Sequence, residues 1–326
     1  MSLYAALPSM AAIYGREVLG TYHDRMGVLP WPEDFQKEPP GGFWARAIGY
    51  HGQKDGSSNG EDIAPDYDLT FGALQIGLDV LREERSSGDR DRAGAYAVFG
   101  RADANVDHEI GGRTVNAGDT SFDAVSLGGY WTRTGAEGWY LDGVLQATWY
   151  DVKMSSHRGV GNGDTEGWGL AASAEGGYPF ALDDNGWTLE PQGQLIYQTF
   201  SFDDFDDLAA EVSYSDTDSL AGRIGGRLTR TWDAAGDGGP PEPAAVWARV
   251  NLWHEFLNNP TTTFSAFGQS VPFTGSLDDS WGEIEIGADM KARAEAWSFY
   301  GNLNYQATFD GEATAYGAEA GVKYRW

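Results

Sequence analysis

The last thirteen residues, 314–326 (TAYGAEAGVKYRW), alternate between two kinds of side chain. One parity is apolar and ends on an aromatic residue: Tyr316, Ala318, Ala320, Val322, Tyr324 and Trp326. The other parity carries glycine or charge: Gly317, Glu319, Gly321, Lys323 and Arg325. Side chains two residues apart on a strand point the same way, so this segment predicts a strand with one apolar face. A soluble protein would turn that face to its core, whereas a transmembrane β-barrel would turn it to lipid.

Similar alternation recurs along the chain from Phe43 onward. We predict about twelve strands, near 43–52, 68–82, 91–103, 120–134, 138–153, 165–182, 187–200, 217–232, 245–257, 279–293, 295–309 and 314–326. Each is close to the ~10 residues that a tilted membrane-spanning strand needs. In the third segment Val98 and Phe99 are adjacent, so the pattern leaves the facing of the second and third strands open.

The connections between these strands alternate in length. Short ones include 135–138 (GAEG) and 183–186 (DDNG), and long ones include 53–67, 104–119, 154–164, 201–216 and 258–278. An antiparallel meander places odd and even connections at opposite ends. Short turns at one end and long loops at the other are typical of an outer-membrane barrel, whose short turns are periplasmic.

Composition favours the barrel and excludes several other classes. The chain has 45 Gly, 13 Trp, 16 Tyr and 15 Phe, as expected for bending strands and interfacial aromatic girdles. Its net charge of −27 argues against a nucleic-acid partner. It has no Cys, which excludes disulfides and thiolate chemistry. The mean hydropathy of −0.43 is compatible with a barrel, because barrel strands are only half apolar.

The first 42 residues differ from the rest. Residues 3–27 have few helix breakers, carry Pro8 where a first turn tolerates it and reach Gly27, so they predict a helix. Residues 28–42 are a proline-rich linker. We therefore expect two units, a helix with its linker at 1–42 and a barrel at 43–326. No signal peptide follows Met1, so we expect this chain to come from a longer precursor.

Several stretches, taken in order, resemble one known family. They include LYAALPSMAAIYGREVLGTYHDRMG at the start, FWARAIGYHG at the first strand, WGLAASAEGGYPFAL followed by WTLEPQGQLIYQ, and the terminal AGVKYRW. Together they resemble the translocator (β) domain of monomeric autotransporters, which belong to type V secretion. The resemblance covers nearly the whole chain and implies a twelve-stranded outer-membrane barrel with an α-helix in its lumen.

The resemblance also implies a function and partners. An N-terminal passenger, absent from this chain, would be exported to the extracellular side, and the barrel would be a monomer in outer-membrane lipid. Periplasmic chaperones and the barrel-assembly machinery would insert it, reading a C-terminal signal that Glu319, Gly321, Tyr324 and Trp326 fit in register. The family usually ends on Phe, so Trp326 is a departure that keeps an aromatic residue.

Charged residues on the lumen parity are candidates for contact with the helix. They are Arg46, Glu175, Arg223, Arg227, Arg249 and Glu255, alongside Gln75, Asp79, Asp289 and Lys323. Three of them, Arg223, Arg227 and Arg249, fall on neighbouring strands and form a predicted anchor. Each one alone is better explained as a hydrated lumen residue.

Other functions find little support in the residues. GxSxG, HExxH, P-loop and strand–GxGxxG–helix motifs are missing, so we expect no enzyme and no cofactor. The acidic run DDFDD (203–207) lacks the glycine and glutamate spacing of a calcium loop, which predicts a solvated loop rather than a metal site. The main alternative is a passive outer-membrane porin, although a helix before the first strand argues against it.

Overall fold

The computed structural model describes residues 1–29, 42–56, 65–109, 113–157, 162–234, 242–257, 260–275, 277, 279–291 and 297–325. Within these residues, twelve long antiparallel strands form one barrel. They are β1 (Gly42–Lys54), β2 (Asp66–Glu84), β3 (Arg90–Glu109), β4 (Thr114–Thr134), β5 (Tyr140–Ser156), β6 (Asn162–Gly177), β7 (Trp187–Phe202), β8 (Thr217–Ala234), β9 (Glu242–Glu255), β10 (Ser280–Lys291), β11 (Trp297–Thr308) and β12 (Ala313–Arg325). The predicted twelve-stranded meander is confirmed.

The barrel is closed by its first and last strands. β12 pairs with β1 in a continuous antiparallel ladder, from Gly42 opposite Arg325 to Lys54 opposite Ala313. Each remaining strand pairs with its neighbours in sequence, including β7 with β8. Closure satisfies the backbone groups that an open sheet edge would expose to lipid, which is what a membrane requires.

Alternate side chains face the lumen and the outside, as predicted for β12. Tyr316 is exposed on the outside, whereas Lys323 is buried in the lumen and the Glu319 side chain is 8% exposed. The structure also fixes the third strand, where Val98 is fully buried in the lumen and Phe99 is 54% exposed. The side chain of Arg325 and the whole of Trp326 lie outside the described residues.

The predicted N-terminal helix over 3–27 is confirmed as a helical segment inside the barrel, but it is divided into three helices. The lumen holds α1 (Ser2–Ala5), α2 (Leu7–Leu19) and α3 (Tyr22–Met26). Gly20 ends α2 with φ 62°, a backbone conformation that favours glycine. Thr21 then caps α3, because its side chain accepts from the Asp24 N–H while the Asp24 carboxylate accepts from the Thr21 N–H.

These helices are short. Among the described residues, none is long and apolar enough to cross a membrane.

The turn at 183–186 shows how the short connections are built. Asp183 Oδ1 accepts from the backbone N–H groups of Asn185 and Trp187 at 2.9 and 3.1 Å, and Gly186 adopts φ 85°. The Asn185 side chain also donates to Asp183, and these bonds hold the pKa of Asp183 below its usual range. This tight turn was predicted from DDNG.

The long loops build a small outer sheet above the barrel. Its strands, in spatial order, are Gln269–Thr274, Thr261–Ala266, Glu211–Tyr214 and Phe205–Asp206. Tyr4 of α1 packs against Phe205 and Phe264, with ring centroids 5.1 and 6.1 Å apart, and its hydroxyl donates to Asp207 Oδ2 at 3.0 Å. The acidic loop that we expected to be solvated is therefore partly ordered, and it covers the start of the helix.

Candidate functional site

The candidate site is the lumen around the helix, and its zone near the outer sheet is apolar and aromatic. Tyr14 of α2 lies among the rings of Phe71, Phe122 and Tyr150, with centroids 5.2, 5.5 and 6.1 Å away. Each such ring pair contributes roughly 0.5–1.5 kcal/mol beyond the area it buries. In this zone the helix is held by packing.

The zone near the short turns is polar, beginning where α2 ends against Arg46. Arg46 Nη2 donates to the carbonyl oxygen of Val18 at 2.7 Å, and Gln75 Nε2 donates to the same oxygen at 3.4 Å. The last carbonyls of a helix lack partners within it, and a cation there is also favoured by the helix dipole. On its other side Arg46 donates to Glu319 of β12 at 3.1 Å.

Arg249 of β9 ties the break between α2 and α3 to the barrel wall. It donates to Thr21 Oγ1 at 3.0 Å and to Asp24 Oδ1 at 3.2 Å. It also makes two hydrogen bonds to Glu285, at 2.8 and 2.7 Å, and is only 2% exposed. Because Thr21 and Asp24 form the cap of α3, Arg249 binds the cap itself.

Glu175 contacts the helix directly, and Arg223 positions it. Glu175 Oε2 accepts from the Tyr22 N–H at 2.8 Å, while its Oε1 accepts from Arg223 Nη2 at 3.0 Å and from the Tyr140 hydroxyl at 2.7 Å. The other hydrogen bonds of Arg223 go to wall residues, including Gln194 at 3.1 Å. Arg223 therefore acts on the helix through Glu175.

Arg227 reaches the helix in a similar indirect way. Its Nη2 lies 2.9 Å from Glu190 Oε2, and Glu190 Oε1 lies 3.0 Å from His23 Nε2 of α3. Of the three arginines of the predicted anchor, Arg249 is the one that hydrogen-bonds helix atoms in the described part of the chain.

Glu255 lies at the outer end of the wall and bonds there. Its Oε2 accepts from the Ser219 hydroxyl and its Oε1 from the Leu220 N–H, both at 2.6 Å. These contacts join the ends of β8 and β9 and do not involve the helix.

Several helix contacts were missed by reasoning from the sequence. Asp142 pairs with Arg25 at 2.6 Å, Gln194 donates to the Gly20 carbonyl at 3.0 Å, and Tyr300 donates to the Arg25 carbonyl at 2.9 Å. Lys323, which was expected to face the lumen, donates to the Met26 carbonyl. The lumen parity of polar residues would have found Asp142 and Gln194, but the Gly20 carbonyl became a target only because the helix breaks there.

Comparison with known proteins now identifies the barrel. Residues 43–304 match the family described as "Autotransporter beta-domain". The chain belongs to this family.

Two autotransporters and one solved β-domain are similar to it. The chain is 25% identical over 324 residues to the adhesin BmaC autotransporter of Brucella suis, covering 94% of the chain and 9% of that relative. It is 28% identical over 272 residues to the BrkA autotransporter of Bordetella pertussis, covering 82% of the chain and 24% of that relative. The crystal structure of the β-domain of Bordetella BrkA superposes with a TM-score of 0.66 at 25% identity, covering 88% of this chain and 100% of that one.

Autotransporter β-domains are outer-membrane proteins, so this chain is an integral outer-membrane barrel. The family is a transport fold rather than an enzyme family. The chain spans a small part of the length of both curated relatives.

The expected assembly-signal residues of this autotransporter β-domain also make contacts in the folded barrel. A Cβ added at Gly321 would lie 2.0 Å from Cζ of Tyr300, so glycine leaves room for that ring. Tyr324 packs its ring 4.5 Å from that of Trp297, and Glu319 pairs with Arg46. A test of the signal therefore has to separate insertion from stability.

Proposed function

We propose that this β-domain exports an N-terminal passenger across the outer membrane and leaves it on the cell surface. The observation that carries the proposal is the direction of the helix in the lumen. α1 lies under the outer sheet, where Tyr4 meets Phe205 and Asp207, and α3 lies at the opposite end, where Val28 N–H donates to Asp289 at 2.8 Å. Long loops of such barrels face outward and short turns face the periplasm. A segment joined ahead of α1 would emerge outside the cell.

The contacts of the helix support a closed state after export. Aromatic packing holds α2 in the outer zone, and Arg46, Glu175 and Arg249 hold its end and α3 in the inner zone. A passive porin, the alternative, needs an open lumen, and a helix fixed at both ends disfavours it.

Surface display of a short tag tests the export proposal. We would join a signal peptide and an epitope tag ahead of Met1 and produce the fusion in a Gram-negative host. The tag should bind antibody on intact cells and be removed by external protease. A matched fusion with the tag in the short turn at 85–89 should be reached only after the outer membrane is opened. A barrel that inserts normally while its N-terminal tag stays in the periplasm would contradict the proposal.

We also propose that periplasmic chaperones and the barrel-assembly machinery insert the chain as a monomer into outer-membrane lipid, and that Glu319, Gly321, Tyr324 and Trp326 form the signal they read. Support comes from the register of these residues on the terminal strand and from the family.

Deleting Trp326 should reduce the inserted fraction severalfold without lowering synthesis, because the signal loses its terminal aromatic ring. Heat-modifiable migration of outer-membrane fractions on gels would measure it. The Trp326→Phe variant is the control and should insert normally. The described ladder from Gly42–Arg325 to Lys54–Ala313 does not include Trp326, so removal of this residue leaves that ladder in place. Normal insertion of the shortened chain would show that the ring is not read.

A further inference from the structure

A second feature of the lumen is a cavity between the helix and a wall formed by β7 and β9–β12. The helix contributes Glu17 and Asp24 to its lining, and the wall contributes Glu283, Glu285 and Glu319. Five carboxylates thus surround one buried space.

Arginines neutralise only part of this charge. Arg249 pairs with Asp24 and Glu285, and Arg46 with Glu319. Arg16 Nε lies 3.5 Å from Glu17 Oε1. Five carboxylates against these three guanidinium groups leave a formal charge of −2 around this cavity. Uncompensated buried charge is costly, so such a space favours a further positive charge.

Glu283 lies beside Glu17, and in the described part of the chain none of these three arginines pairs with Glu283. Gln306 Nε2 donates to Glu17 Oε1 and to Glu283 Oε1, both at 3.1 Å, so one amide holds the two carboxylates close together. The other oxygen of Glu283 accepts from Asn251 at 2.8 Å and from the Trp253 indole at 2.9 Å. These three donors are neutral, so they orient Glu283 without balancing its charge.

Two amide oxygens of the same lining provide an independent indication of a ligand. Asn302 is 7% exposed, and its Oδ1 accepts no hydrogen bond from any residue that the structure describes. Asn304 Oδ1, two residues along β11, is also buried without a donor among the described residues. Buried acceptors without a donor are rare and costly, and a cation satisfies an oxygen as a donor would.

We propose that this cavity binds one monovalent cation of the alkali type, held by the carboxylates of Glu17 and Glu283 and the amide oxygens of Asn302 and Asn304. Oxygen donors of this kind are those that hard cations prefer. Within the described ranges, no three acidic or histidine side chains converge well enough to hold a metal ion by themselves, which is why the mixed carboxylate–amide set points to a monovalent ion. Because Glu17 lies on α2 and the other ligands on the wall, the cation joins the helix to the barrel.

Rubidium is a suitable probe, since it carries the charge of sodium and potassium and scatters X-rays anomalously. Crystals of the full chain grown in detergent with rubidium chloride should show an anomalous peak in this cavity. The unfolding temperature should also be higher in rubidium chloride than in N-methylglucamine chloride at the same ionic strength.

Two isosteric variants and one control make the test specific. Glu283→Gln should lose the peak and the difference in unfolding temperature, and so should Glu17→Gln, which alters only the helix and leaves the wall unchanged. Glu255→Gln changes a lumen glutamate outside this cavity and should keep both. Heat-modifiable gel migration would verify that each barrel is folded. If Glu283→Gln does not fold, the result for Glu17→Gln alone tests the proposal. The proposal would be overturned if the wild-type cavity held no rubidium, or if the anomalous peak persisted in Glu17→Gln. It would also be overturned by an infrared band of protonated carboxyl groups that disappears in Glu17→Gln, because protons would then supply the positive charge.

Discussion

Deleting residues 1–29 should convert the barrel into an open channel, with single-channel conductance in planar bilayers rising by about an order of magnitude. A helix with its side chains is about 10–12 Å wide. A lumen enclosed by twelve strands is wider than that of filled eight-stranded barrels and narrower than that of water-filled porins. The helical segment α1–α3 is therefore the main obstacle to ions. The buried side chains of Leu7, Met10 and Tyr14 illustrate how closely it fills the outer zone.

A control must show that the shortened barrel is still folded. Heat-modifiable migration would do so, because the ladders of β1–β12 do not include residues 1–29. Phe267→Ala, at a fully exposed position in the turn between two strands of the outer sheet, is a matched variant that should leave the conductance unchanged. A folded barrel lacking the helix but conducting no better than the whole chain would mean that the helix is not the plug.

Replacing Arg249 with Ala should destabilise the plugged state by about 3–5 kcal/mol, the cost of removing one partner of a buried ion pair. The loss is large because Glu285 and Asp24 would both remain in the lumen without their cation. Unfolding in lipid vesicles would measure the loss, and more frequent channel openings would show that the helix is loosened. Arg101→Ala is the control: its side chain is 60% exposed and its ion pair with Asp123 spans 3.4 Å, so the change should be below ~1 kcal/mol.

A double variant separates charge from packing. Adding Glu285→Gln to Arg249→Ala should recover part of the lost stability, since the unpaired carboxylate is then neutral. The Arg227→Ala variant should show less frequent channel openings than the Arg249→Ala variant, because Arg227 contacts the helix only indirectly, through Glu190. Equal effects of Arg249→Ala and Arg101→Ala would mean that the Arg249 contacts do not hold the helix.

The barrel was predictable because a strand between lipid and a polar lumen alternates apolar and polar residues. This alternation shows which side chains face the lipid and which face the lumen. Where the lumen is apolar this contrast disappears. Val98 lies inward and fully buried, opposite Gln75 of β2, whereas Phe99 lies outward and is 54% exposed, so two adjacent apolar residues have opposite environments. The period-2 signal of β3 could not show this without the helix in place.

The wall residues that contact the helix were predictable from their type and position, but the helix atoms that each one binds were not. Parity placed Arg46 and Arg249 in the lumen, yet their targets depend on the break after Leu19. The local signal was present, since Gly20 followed by Thr21 and Asp24 has the spacing of a helix end and a capping box. Which arginine meets the cap is set by the register of β9 against β10, and no local pattern encodes that register.

Cysteine labelling in intact cells tests most directly whether the start of the helix faces outward. The chain has no Cys, so each introduced thiol is unique. A membrane-impermeant maleimide should label Ser2→Cys at the helix start and the loop control Leu208→Cys, which is 83% exposed. It should label Ser87→Cys in a short turn only after the outer membrane is permeabilised. Labelling of Ser87→Cys but not of Ser2→Cys in intact cells would contradict export through this barrel.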